Sequence, residues 1–195
     1  MSEPKTERQD IALVIIDMQN DFVLPGAPAC VAGALATVPV IRQLLDQARG
    51  AGWPVFHVHR EHRPDGSDAE AFRRALFAQG RGICVSGTPG ADIVPELAPL
   101  PGEHRIVKRR FSGFLGTQLD LVLRRLGVST LVLAGTQYPN CIRGTAVDGL
   151  SLDYRVIVVT DACSAQAEAV AQANIFDLAN MGVVCVPLQD LTGVL

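Results

Sequence analysis

The chain has 195 residues, 48% of them hydrophobic and 19% charged, with a formal net charge of -3. That length suits a single domain over 1–195 with an ample core, and the slightly acidic balance excludes the basic surface that a nucleic-acid partner requires. The polar start "MSEPKTERQD" opens onto no apolar run near the ~20 residues of a membrane helix and no signal-peptide core, so a cytoplasmic protein without a membrane partner is expected, with residues 1–9 a disordered or extended tail.

In chain order, "IALVIID" (11–17) is apolar and β-branched, ends in an acid, and predicts a buried strand. After a loop rich in Pro and Gly, "GALATVPVIRQLLDQARGAG" (33–52) predicts a helix despite Pro39, stopped by Gly50 and Gly52. "PVFHVHR" (54–60) predicts a second strand, and "DAEAFRRALFA" (68–78) a short helix. Residues 80–103 are crowded with Gly and Pro and predict irregular loop. A short strand is expected at "HRIVKRR" (104–110), an amphipathic helix at "GTQLDLVLRRLG" (116–127), and a strand at "STLVLAG" (129–135). The helix "CIRGTAVDGLSLDY" (141–154) is led by Cys141. The strand "RVIVVTDA" (155–162), the helix "AEAVAQANIFDLANMG" (167–182) and a final strand and tail in "VVCVPLQDL" (183–191) complete the series.

Alternating strands and helices imply an α/β fold of three layers: a six-stranded, mainly parallel sheet with helices on both faces, because each crossover returns the chain over the sheet. Reactive groups in such folds gather at the carboxyl ends of strands. That rule selects Asp17, Arg60 with Glu61 and His62, Lys108, Cys141 and Asp161.

Five cysteines, Cys30, Cys84, Cys141, Cys163 and Cys185, are scattered and form no C-x-x-C pair, which fits reduced thiols better than a disulfide framework or zinc cluster. Four of them read as small buried hydrophobes. Cys141 differs, because "GTQYPNC" (135–141) places it between a strand end and a helix start, where unpaired N–H groups and a neighbouring cation lower a thiol pKa. Only two of the 17 basic residues are lysines, Lys5 and Lys108. Codon bias accounts for that scarcity; so does a need at position 108 for a compact ammonium that a planar guanidinium cannot replace. Asp17 is the natural proton acceptor, since an acid ending a buried strand is costly unless paired or used.

"LVIIDMQNDFV" with Asp17, "IVKRRFSGF" with Lys108 and "LVLAGTQYPNCIRGTAVDGLSLDYRVIVVTDAC" with Cys141 together resemble the isochorismatase-like cysteine hydrolase superfamily, which includes nicotinamidase, N-carbamoylsarcosine amidohydrolase and biuret-type hydrolases; the similarity runs from about residue 10 to 188. The resemblance implies a Rossmann-like six-stranded sheet, an Asp17-Lys108-Cys141 triad, and hydrolysis of a small amide, ureide or carbamoyl compound through a thioester. It also implies a cis peptide at Thr136–Gln137, an oxyanion hole from the N–H groups of Gln137 and Cys141, and a homodimer or homotetramer; no cofactor is expected. Isochorismatase itself cleaves a vinyl ether without the nucleophilic cysteine, so Cys141 argues against that alternative; a catalytically silent binding or scaffold protein is the other.

Nicotinamidases carry an Asp-x-His metal site just past the second strand, where this chain reads "HVHREHRPDGSD". His62 matches the first metal histidine, but Arg60 replaces the aspartate, and a guanidinium repels a divalent cation. No metal is expected, although His57, His59 and His62 make an alternative trio. Arg60 can instead bind a substrate carbonyl or carboxylate, or pair with Glu61 or Asp17. Gln19, Phe22, Glu61, Phe111, Phe114, Tyr138 and Asn140 flank the triad in sequence and are candidates to line a small substrate pocket.

Overall fold

A computed structural model describes residues 10–195; the tail expected at 1–9 lies outside the described residues. Six strands, β1 (Ile11–Ile16), β2 (Val55–Arg60), β3 (His104–Lys108), β4 (Thr130–Thr136), β5 (Arg155–Ser164) and β6 (Val184–Val186), form one sheet in the order β3-β2-β1-β4-β5-β6. Every neighbouring pair is parallel, as the strand–helix alternation requires. β1 is apolar throughout because both its faces are covered: Ala12, Val14 and Ile16 enter one core cluster, while Leu13 and Ile15 enter the other.

The first cluster is closed by α4 (Leu119–Leu126), α5 (Arg143–Ser151) and α6 (Glu168–Asn180), through Leu119, Leu123, Ala146, Ala171 and Leu178. The second is closed by α2 (Ala34–Gly50), whose Val38, Ile41, Leu44, Leu45 and Ala48 recur at helical spacing. Pro39 is tolerated inside α2 because it and Leu35, whose carbonyl loses its donor, lie on the exposed side of the helix.

From β1 the chain moves outward through β2 to β3, then returns to place β4 on the other side of β1. The strand order therefore reverses between β1 and β4, the position where open α/β sheets form a crevice. At that seam Gly135 lies opposite Ile16. A Cβ on Gly135 would fall 2.1 Å from the Ile16 carbonyl oxygen, and its φ of 121° suits glycine alone. The Thr136–Gln137 peptide that follows is cis.

Several elements differ from expectation. The loop after β1 contains a one-turn helix, α1 (Asn20–Val23), and residues 68–78 split into a 3₁₀ turn, Ala71–Arg73, and α3 (Arg74–Ala78). β6 is only three residues long and gives way to a 3₁₀ segment, Leu188–Val194. Cys141 does not begin a regular α-helix but sits in a π-turn, Tyr138–Ile142, ahead of α5. No helix among the described residues is long and apolar enough to cross a membrane.

Candidate active site

Asp17 is the first residue beyond β1, and Lys108 and Arg60 end the adjacent strands β3 and β2, opposite each other in register. The backbone of Asp17 turns into the left-handed region (φ 53°), which aspartate tolerates better than most residues and which lets the chain leave the strand sharply. Both charged side chains are sealed from solvent, Asp17 at 1% and Lys108 at 0% exposure. The Lys108 ammonium donates to Asp17 Oδ2 at 2.7 Å, to the Arg110 carbonyl at 3.2 Å and to Cys141 Sγ at 3.4 Å. These three bonds use all its N–H groups around one point, which a flat guanidinium cannot reproduce. Asp17 Oδ1 is buried with no hydrogen-bond partner.

The expected lowering of the Cys141 pKa is overturned. Burial, reinforced by the Asp17 charge, pushes the thiol up to about 11 against the opposing pull of Lys108 and Arg60. The resting group is a neutral thiol next to a carboxylate that is already paired with an ammonium.

Arg60 is 1% exposed and reaches past the thiol. Its Nη1 donates to Glu70 Oε1 at 2.6 Å and the Arg109 carbonyl at 3.4 Å, and its Nη2 donates to the Arg110 carbonyl at 3.0 Å and to Cys141 Sγ at 3.9 Å. The internal partner of Arg60 is thus Glu70, and neither Glu61 nor Asp17 forms an ion pair with it. His62 Nε2 lies 3.4 Å from Arg60 Nη1, and burial followed by the Arg60 charge lowers the His62 pKa. A divalent ion at His62 would sit against that guanidinium, so these residues do not fit the metal centre of the nicotinamidase pattern. His57 pairs with Glu103 at 2.9 Å and His59 with Glu61 at 3.1 Å, each histidine being committed to its own carboxylate.

Beside these three residues lies a small cavity of about 20 Å³, roughly one water in size, lined by Asp17, Phe22, Val31, Arg60, Arg73, Phe111, Thr136, Gln137, Asn140 and Cys141. Phe22, Arg60, Phe111 and Asn140 therefore meet the triad as the sequence suggests, but Gln19, Glu61 and Tyr138 do not line this cavity. Gln19 is fully buried; its Nε2 donates to the Arg60 and Ala91 carbonyls and its Oε1 accepts from the Arg60 N–H, each at 2.7 Å. It is a staple between loops, with no free group for a ligand. Glu61 is occupied by His59 and Ser86. The π-turn carries Tyr138 to the other side, where its hydroxyl donates to the Thr160 carbonyl. Phe114 stacks on Tyr154. Asp161 accepts from the Leu188 N–H and shapes the C-terminal segment.

Two residues that the sequence reading missed are Glu70 and Arg73. Their i,i+3 spacing is the one local signal they give, and it says nothing about which face meets Arg60.

The isochorismatase domain family matches residues 11–190. An Arabidopsis thaliana protein named a probable inactive nicotinamidase is 43% identical over 178 residues, spanning 90% of this chain and 91% of its own. A maleamate amidohydrolase from Pseudomonas putida is 34% identical over 169 residues, 86% of this chain and 78% of its own. The crystal structure of an isochorismatase family protein from Desulfovibrio vulgaris superposes with a TM-score of 0.94 at 63% identity, covering 95% of this chain and 97% of that one. With its sheet, its strand-end residues and these matches in agreement, the chain belongs to the isochorismatase family, in which its relatives include amidohydrolases.

Proposed function

We propose that the protein is a cysteine-dependent amidohydrolase that cleaves a C–N bond of a small amide, ureide or carbamoyl compound. The observation that carries this reading is the split use of the Asp17 carboxylate: Oδ2 is fixed by Lys108, which also contacts Cys141 Sγ, while the buried Oδ1 has no partner. A free carboxylate oxygen beside a neutral thiol suits proton transfer that accompanies attack. Sγ bonds to the substrate carbonyl carbon as its proton passes to Asp17, and the carbonyl π electrons move to oxygen. That oxyanion is received by the N–H groups of Gln137 and Cys141. As the oxyanion collapses, the C–N bond breaks, and Asp17 hands the proton to the departing nitrogen. Water then adds to the thioester, giving its proton to Asp17, and the acid leaves as the Cys141 thiol is restored. Lys108 balances the charge on Asp17 and sulfur in turn.

The A. thaliana relative named a probable inactive nicotinamidase speaks against nicotinamide as the substrate and keeps a catalytically silent member as the alternative. Screening amides, ureides and carbamoyl compounds for ammonia release, with rapid-quench mass spectrometry of Cys141, tests the proposal. Turnover with an acyl adduct that is lost in Cys141→Ala is expected; no adduct and no ammonia across the panel would leave a catalytically silent member.

A further inference from the structure

We propose that the substrate carries a carboxylate, bound by Arg73 together with Arg60, so that the site takes small anionic amides in preference to neutral ones. The inference rests on the hydrolase reading and narrows its substrate class. Its basis is a pair of unmet donors: Nε of Arg60 and Nε of Arg73 are both buried without a hydrogen-bond partner, and both residues line the cavity that holds Cys141 and Asp17. The Arg60 side chain is 1% exposed, and its two Nη atoms are already engaged. Arg73 Nε is ion-paired with Glu70 Oε2 at 3.2 Å, but without hydrogen-bond alignment, so neither atom's hydrogen bond is made.

A buried N–H left without an acceptor loses its solvation without compensation, and a carboxylate supplies two acceptor oxygens at once. Charge points the same way. Lys108, Arg60 and Arg73 face Asp17 and Glu70, three cations against two anions, so one negative ligand charge neutralises the group. A neutral amide can accept a hydrogen bond but leaves the excess charge in place, and a cationic one adds repulsion. Arg60 touches the Cys141 sulfur and Arg73 lines the same small cavity, so a substrate with its amide at Sγ and its carboxylate at Arg73 would join the two by a short spacer. The cavity is too small for such a molecule as it stands, and entry requires rim side chains to move; Arg73 sits in the surface turn Ala71–Arg73, stacked over the exposed Phe72 ring.

The test pairs binding with turnover. Malonate, succinate and glutarate are titrated calorimetrically into wild type, Arg73→Gln and Arg73→Lys, with succinamide as the neutral control. At least one dicarboxylate should bind wild type, succinamide at least tenfold more weakly, and Arg73→Gln should lose tenfold or more, with Arg73→Lys between. In turnover, wild type should favour succinamate over succinamide by about 100-fold in kcat/KM, the size of a net hydrogen bond between charged groups, and Arg73→Gln should collapse that ratio through KM. If none of the three dicarboxylates binds, or if folded Arg73 variants bind them as wild type does, carboxylate recognition is overturned. Hydrolysis that favours the neutral amide overturns it too while leaving the hydrolase reading intact. Binding that depends on Arg73 with no hydrolysis or Cys141 adduct would instead sink the hydrolase reading and keep this one.

Discussion

Replacing Asp17 by asparagine keeps the shape of the side chain and removes its charge, and the structure sets two separate consequences. The Asp17–Lys108 pair is 2.7 Å long with both side chains at 1% exposure or less, so Asp17→Asn strands an ammonium in the interior. Breaking a buried pair by removing one partner costs about 3–5 kcal/mol, which for a chain of this size lowers Tm by roughly 6–20 °C. Activity should fall by about 10²–10⁴-fold from loss of the general base alone. The double variant Asp17→Asn/Lys108→Met separates the two effects, because replacing a whole buried pair is often neutral or stabilising. Its urea and thermal unfolding should return close to wild type while ammonia release stays as low as in the single variant. A double variant as unstable as its two singles combined, or an Asp17→Asn protein keeping more than a tenth of wild-type turnover, would refute the assignment of Asp17 as a base held by a buried ammonium.

Lys108→Arg keeps the charge but cannot place three N–H groups on Asp17, Arg110 and Cys141, so kcat should drop by about 100-fold or more; near-normal turnover would reduce Lys108 to a bystander charge. Alkylation of Cys141 by iodoacetamide in the free protein should keep rising to about pH 11, the value to which burial pushes its thiol, and a plateau by pH 8 would contradict this. Since that folded pKa lies above the unfolded one, Cys141 favours the fold below about pH 9, and this contribution is lost as pH climbs through about 11. Burial works against the Glu103 carboxylate, but Arg49, the Leu100 N–H and His57 outweigh it and hold its pKa down to about 2. Its stabilisation is therefore present above pH ~4.5 and lost as pH falls through about 2, and Glu103→Gln should flatten the acid side of a Tm–pH curve. Light scattering should report a dimer or tetramer; a monomer at all concentrations would refute the expected assembly.

β1, β4 and β5 are legible in the sequence because strands buried on both faces carry continuous apolar, β-branched runs; Asp17 follows from the end of β1, and Lys108 from the end of the short β3. What local pattern does not carry is direction. Gln19 lies two residues from Asp17 and looks like a ligand-binding amide, yet two loops converge on it and consume its hydrogen-bonding groups on backbone. Tyr138 lies three residues from Cys141, but the π-turn between them points the two side chains into different spaces. The thiol pKa fails for a related reason. Helix starts and neighbouring cations are visible in sequence, while the depth of burial that outweighs them is a property of the assembled core.

The two cations at the site show why identity at a position carries more than charge. Lys108 and Arg60 occupy paired positions on β3 and β2, and both reach Cys141 Sγ, at 3.4 and 3.9 Å. Lys108 converges on one point between a carboxylate and a sulfur, which the compact ammonium allows. Arg60 spreads, bridging Glu70, two carbonyls of the 109–110 turn and the sulfur, which needs a fork. Exchanging them would leave the sum of charges unchanged and break both arrangements. The scarcity of lysine in an arginine-rich chain is thus compatible with selection at position 108, because arginine, available at nearly every other basic position, does not fit the contacts that this one makes.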